Sequence, residues 1–187
     1  MKALSTICLF LFGISAYGQM AIGGSIGAGA HRVYFDPSVN QTLQTSLDLR
    51  LGFQYVNERN SGVSLEIAQT RLGWVLDDED STFSVEWPQT ELRFYSHFNI
   101  GKGVHRMPIQ LGPFVGYATG DYPTNDRLRF GLSLGTGYAL QAEQNIFQIM
   151  VHFRQELVPI FPVDDYLYSL PLSATVSVGY YRLLRLE

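Results

Sequence analysis

Ser96 and His97 have the side chains of a nucleophile and its base, the pairing that acyl transfer needs. The serine hydroxyl attacks only if the imidazole reaches it, so the two side chains must converge. Adjacent residues of a regular strand point to opposite faces, which separates this pair unless a bulge intervenes. The four histidines, at 31, 97, 105 and 152, lack the i, i+4 helical spacing of a metal pair, and no glycine-rich phosphate loop is present. Cys8 is the only cysteine. No catalytic residue, metal site or cofactor is therefore expected. A net charge of −4, with Lys2 and Lys102 as the only lysines, supplies no basic stripe for nucleic acid.

The elements that carry these residues are strands. Of the 187 residues 46% are hydrophobic and 16% charged. Beyond the N-terminus no apolar run reaches the roughly 18 residues of a spanning helix. The N-terminus itself reads as a secretory signal peptide over residues 1–18: Met1-Lys2, an apolar stretch from Ile7 to Ile14, then Ala16 and Gly18 at the small positions. Residues 19–187 form one domain, free of cysteine because Cys8 lies in the signal.

Between Thr42 and Asn57, Leu43, Leu47, Leu49, Leu51, Phe53 and Tyr55 alternate with Gln44, Ser46, Asp48, Arg50, Gly52 and Gln54. Period two marks a strand with one apolar and one polar face, and this length suits a tilted bilayer crossing of about 9 to 11 residues. The pattern recurs over Leu128 to Leu140, Phe147 to Leu157 and Leu172 to Tyr180. Weaker versions cover Ile22 to Phe35, Val63 to Leu76, Thr82 to Asn99 and Pro108 to Thr119. Eight strands result. Two of them change phase, and bulges near Gln69 to Arg71 and near Pro88 are expected to restore their facing.

Connections alternate as well. Asn57 to Gly62, Asn99 to His105 and Ala142 to Asn145 are short, whereas Asp36 to Gln41, Asp77 to Ser81, Gly120 to Asp126 and Pro159 to Tyr168 are longer and acidic. Short turns on one side and long loops on the other, with an even strand number, are the pattern of an outer-membrane barrel. Phe53, Tyr55, Phe98, Tyr138 and Tyr180 near the turn end, and Tyr34, Trp74, Trp87, Tyr117 and Phe161 near the loop end, are expected to form two interfacial girdles.

The polar face then lines the interior: Asp48, Arg50, Glu66, Glu91, Arg93, His97, Arg127, Arg129, His152, Arg154 and Glu156. An eight-stranded barrel is just wide enough for side chains to fill it. Charges there must pair, so a structural ion-pair plug is expected rather than an open pore. Gly131, Gly135 and Gly137 would make room for the long side chains.

In these features residues 19–187 resemble the small outer-membrane β-barrel superfamily, which includes the OmpA transmembrane domain, OmpX and the PorT-like barrels. The resemblance implies an all-β, eight-stranded, antiparallel up-and-down transmembrane barrel in the outer membrane. It implies outer-membrane lipid as surroundings, envelope proteins as partners through the loops, and a structural or interaction role, with secretion or envelope assembly suggested by the PorT-like members. The ending Arg182-Leu183-Leu184-Arg185-Leu186-Glu187 departs from the terminal aromatic of many such barrels. Two alternatives differ in class. A soluble lipocalin-like barrel binding a small apolar ligand requires the reverse facing. A lipid-modifying enzyme similar to the outer-membrane lipid A deacylases requires a serine and histidine on one face.

Overall fold

The computed structural model describes residues 18–36, 38–57, 59–78, 81–161 and 168–184. Period-two sequence becomes uninterrupted strand: β1 (Gly18–Asp36), the two-residue β2 (Gln41–Thr42), β3 (Gln44–Asn57), β4 (Ser61–Asp78), β5 (Ser81–Ile100), β6 (His105–Ala118), β7 (Leu128–Ala142), β8 (Asn145–Glu156) and β9 (Tyr168–Leu184). The spatial order is β4-β3-β1-β9-β8-β7-β6-β5. Pairing of β4 with β5 closes the ring, so the eight long strands form an antiparallel barrel. Closure leaves none of the eight as a free sheet edge over the common barrel. The first and last strands share the longest seam but one, from Met20↔Leu184 to Asp36↔Tyr168.

The turn end is built by local chemistry. Asn57 Oδ1 accepts the amides of Arg59 (2.9 Å) and Ser61 (3.1 Å), and Asn60 takes a left-handed φ of 59° to reverse the chain between β3 and β4. Gly101 and Gly103, with φ of 124° and 70°, reverse it between β5 and β6, and Glu143 (φ 53°) does so between β7 and β8. The expected signal peptide lies outside the described residues except for Gly18, which opens β1.

Large apolar side chains of all eight long strands face outward, among them Ile26, Leu51, Ile67, Phe98, Leu111, Leu132, Phe153 and Val178; Leu51 is 73% exposed. Among the described residues no helix is long and apolar enough to cross a membrane. The outer surface is instead a continuous apolar wall of strands.

Two expectations about β4 and β5 are corrected. Their ladder runs without a bulge from Ser61↔Phe98 to Asp78↔Ser81, through Arg71↔Pro88 and Leu72↔Trp87. The apolar residues that change phase turn into the barrel. Leu72, Trp74 and Trp87 join Val33, Phe35, Ala118, Tyr122 and Ile160 in a buried cluster at the loop end, with Phe161 packed against it. Trp74, Trp87 and Phe161 are thus lid residues and not girdle residues, whereas Tyr34, Tyr117, Phe98, Tyr138 and Tyr180 are outward and exposed. Lid rings meet edge to face, with centroids 5.5 Å apart for Trp74 and Trp87 and 5.1 Å for Trp87 and Tyr122.

A bulge does occur, across the wall on the other side of β4. The β3–β4 ladder stops at Asp48↔Thr70 and β2 resumes it at Thr42↔Val75, so residues 43–47 face the four residues 71–74. Gln41 closes the opposite edge there, its side chain receiving the Val33 amide (3.2 Å) and donating to the Val33 carbonyl (2.5 Å).

Candidate functional site

Below the lid the barrel is filled by charge. Asp48, Glu66, Glu91 and Glu156 and the arginines 50, 93, 129 and 154 are all buried, with His97 and His152. Four carboxyls thus face four guanidinium groups. Their alternating positions on β3, β4, β5, β7 and β8 aim them inward, because the neighbouring residues carry the outward apolar wall.

Geometry links all of them but Glu66 and His97 in one chain of contacts. Asp48 receives Arg50 on its own strand (Nε to Oδ1, 3.0 Å) and Arg93 from β5 (Nη2 to Oδ2, 3.1 Å). Arg93 also donates to Glu91 (2.7 Å), and Glu91 receives Arg154 from β8 at 2.6 Å on each oxygen. Gln89 bridges Glu91 (3.0 Å) and Glu156 (3.1 Å), and Glu156 receives Arg129 at 2.7 Å. Arg50 meets His152 at 2.8 Å, and His152 meets Gln110 at 3.0 Å. Charge-assisted bonds of this kind offset the desolvation of buried ions only when nearly every partner is in place.

Arg129 and Gln89 couple this layer to the lid. Arg129 donates to the carbonyls of Pro159 (2.9 Å) and Val158 at the start of the β8–β9 loop and lies 5.8 Å from the Tyr122 ring centre. Gln89 accepts the Trp87 indole N–H at 3.4 Å. In the β6–β7 loop, burial pushes the Tyr122 phenol above its ordinary pKa, while nearby Arg129 pulls it down.

Arg127 does not belong to this interior layer. It sits one residue before β7, partly exposed, and donates to the carbonyls of Ala118 (3.4 Å) and Gly120 (3.2 Å). The β6–β7 ladder ends at Tyr117↔Leu128, so strand alternation does not extend to residue 127.

Several interior residues escape a search for charges. Tyr95 bonds Ser133 (3.1 Å), Tyr181 bonds Glu66 (3.4 Å), and His31 is buried on β1 near Arg154, Asp48 and Glu91. Their alternation with outward residues was the available signal. Of the β7 glycines only Gly135 makes room for an interior polar side chain, a Cβ there falling 2.5 Å from the His152 ring; a Cβ at Gly131 would meet the Gln155 carbonyl (2.3 Å) and the Phe114 ring (2.4 Å), and one at Gly137 the Ile149 carbonyl (2.0 Å).

Ser96 is exposed on the outer wall and His97 is buried inside. The two therefore do not converge. Among the described residues no cluster of three histidine, cysteine or acidic side chains could hold a metal ion.

The chain is similar in fold to the crystal structure of Neisserial surface protein A, at 11% identity and a TM-score of 0.55, over 87% of this chain and 96% of that one. It is also similar to Ail, the attachment invasion locus protein of Yersinia pestis, at 19% identity and a TM-score of 0.50, over 88% of this chain and 99% of that one. No protein-family model and no curated protein matches the chain. The likeness shows the fold, that of the small outer-membrane β-barrels.

Proposed function

We propose that the chain is exported by a signal peptide at residues 1–18 and inserts as an integral outer-membrane barrel, with a closed interior and a structural or interaction role in the envelope. The facing carries this reading. Apolar side chains cover the outer wall and the ion pairs of Asp48, Glu91 and Glu156 lie inside, the reverse of what a soluble ligand-binding barrel requires. A wall so apolar in water would be an aggregation surface, whereas in a bilayer it is solvated by lipid.

The filled lumen supports a closed barrel and moves attention to the loop end. There the β5–β6 ladder ends at Gln89↔Ala118 while β4 and β5 pair on to Asp78↔Ser81. This ribbon, with the long loops, is the surface offered to envelope or extracellular protein partners. The resemblance to PorT-like barrels adds a part in secretion or envelope assembly. Exposure of Ser96 on the lipid side, away from His97, speaks against lipid-modifying catalysis.

Fractionation of expressing cells tests the reading, followed by gel migration in detergent with and without boiling. Recovery in the outer membrane with a migration shift on boiling is expected. Recovery in the soluble periplasmic fraction would overturn it.

A further inference from the structure

The outer wall is not uniform. Register lays two rows of outward residues across it, perpendicular to the strands: Thr90, Gln69, Leu49, Ile26 and Val178 in one, and Ile67, Leu51, Gly24, Tyr180 and Phe147 in the other. Between the rows lies an open, apolar furrow of about 710 Å³. Phe147 is two residues from the turn end of β8, whereas Gln69 and Thr90 stand midway along β4 and β5. From β5 through β4, β3, β1 and β9 to β8 the furrow crosses five strand spacings, about 24 Å. Strands of such barrels tilt by about 35–45°, so the furrow descends by about 15 Å along the bilayer normal. That is the depth of hydrocarbon in one leaflet.

The loop-side end of the furrow is polar. A second groove, of about 660 Å³, shares Leu49 and Gln69 with the first and continues past Ala28 and Leu47 to Arg71 and Glu86. Arg71 and Glu86 form the one ion pair outside the lumen among the described residues, at 3.6 Å and with side chains 68% and 42% exposed. At that separation no hydrogen bond joins them, so each keeps its capacity for another partner. One outward step nearer the turn end, Thr90 Oγ1 donates to Gln69 Oε1 at 2.7 Å. The bond fixes which way the Gln69 amide points and leaves its NH₂ as the donor of the pair.

A cation beside an anion, then an amide donor, then an apolar furrow one leaflet deep follow one another down the wall. Headgroup, ester carbonyl and acyl chain follow one another in a lipid. We propose that this face of the barrel holds one lipid of the loop-side leaflet with a phosphoethanolamine head: its phosphate on Arg71, its ammonium on Glu86, an ester carbonyl on Gln69, and an acyl chain along the furrow toward Tyr180. The site rests on the bilayer location proposed above.

Charge selects the head. Arg71 and Glu86 side by side present a dipole, and a head with both phosphate and ammonium matches it in the opposite sense. A head with phosphate and no cation sets its negative charge beside Glu86. A quaternary ammonium carries no N–H to donate to the carboxylate, so the charge-assisted bond is lost.

Competition among dioleoyl-phosphatidylethanolamine, -phosphatidylcholine and -phosphatidylglycerol for the full-length protein folded in detergent, read by native mass spectrometry, tests the site. Heat-modifiable migration checks that each variant is folded. The unsubstituted protein is expected to retain one phosphatidylethanolamine with about tenfold preference over each competitor, the factor that one hydrogen bond to a charged group supplies. E86Q is expected to retain lipid without that preference, and R71Q to retain less of all three. Ala28→Phe, which fills the groove from an outward position, is expected to lower retention, whereas Thr136→Phe on β7, outside both grooves, leaves it unchanged. Equal retention of the three lipids by the unsubstituted protein would overturn the site while leaving the bilayer location standing. Preference unaltered in both E86Q and R71Q would overturn it as well. Retention of none of the three, together with recovery in the soluble periplasmic fraction, would overturn both.

Discussion

Arg154 on β8 reaches across the lumen to Glu91 on β5, placing one guanidinium nitrogen 2.6 Å from both carboxylate oxygens. Three other ladders separate these strands around the wall, so the contact is a strut across the barrel. Removing one partner leaves a buried charge uncompensated, a loss of about 3–5 kcal/mol. Glu91→Ala is expected to lower unfolding stability by that amount in a urea titration of the refolded protein. The double variant E91A/R154A should lose less than the sum of the single losses, since the contact is shared. Strict additivity would show that the strut carries no coupling.

The lid makes a separate prediction. Trp87 is fully buried, stacks edge to face on Trp74 and Tyr122, and donates to Gln89. Trp87→Ala is expected to cost about 3–5 kcal/mol through the cavity it leaves. Trp87→Phe keeps most of the packing and loses one long hydrogen bond, about 1 kcal/mol. Equal urea midpoints for the two variants would contradict a packed lid.

On the outside, Leu51 is 73% exposed between Leu49 and Phe53 on β3, and Thr90 is exposed where the outward residues of β5 turn polar. Leu51→Arg is expected to cost about 2–4 kcal/mol when the barrel is folded into bilayers, and Thr90→Arg about 0–1 kcal/mol. Similar small effects at both positions would mean that this wall does not face hydrocarbon.

Close backbone approach gives a fourth test. A Cβ at Gly112 on β6 would lie 1.8 Å from the Phe94 carbonyl oxygen on β5. Gly112→Ala must therefore push two paired strands apart, at a cost of at least about 1–3 kcal/mol. Ser96→Ala, on the exposed face of the same seam, is expected to leave the unfolding midpoint unchanged.

The strands and their even number were legible because outward residues such as Leu128, Phe130, Leu132 and Leu134 repeat at every second position. Charge also marked most of the interior, since Asp48, Arg50, Arg93 and Arg154 have no stable place on a lipid face. The lid was misread for a physical reason. An apolar side chain is equally at home against lipid or inside a dry plug, so Leu72, Trp74 and Trp87 carried no label of their side. The expected bulges followed from that ambiguity, while the β4–β5 ladder kept its register through them. Neutral residues such as Tyr95, Tyr181 and Gln89 gave no charge signal, and their contacts depend on strands distant in sequence.

Because β1 and β9 complete each other's ladder, the wall cannot be finished until the last strand has been made and has found the first. Contacts from Met20↔Leu184 to Asp36↔Tyr168 join the extremes of the chain, and their loop-closure entropy is the largest in the molecule. No fragment lacking either strand can enclose the charged interior. Closure of the ring is thereby tied to completion of the chain, since no barrel can form before the last strand exists.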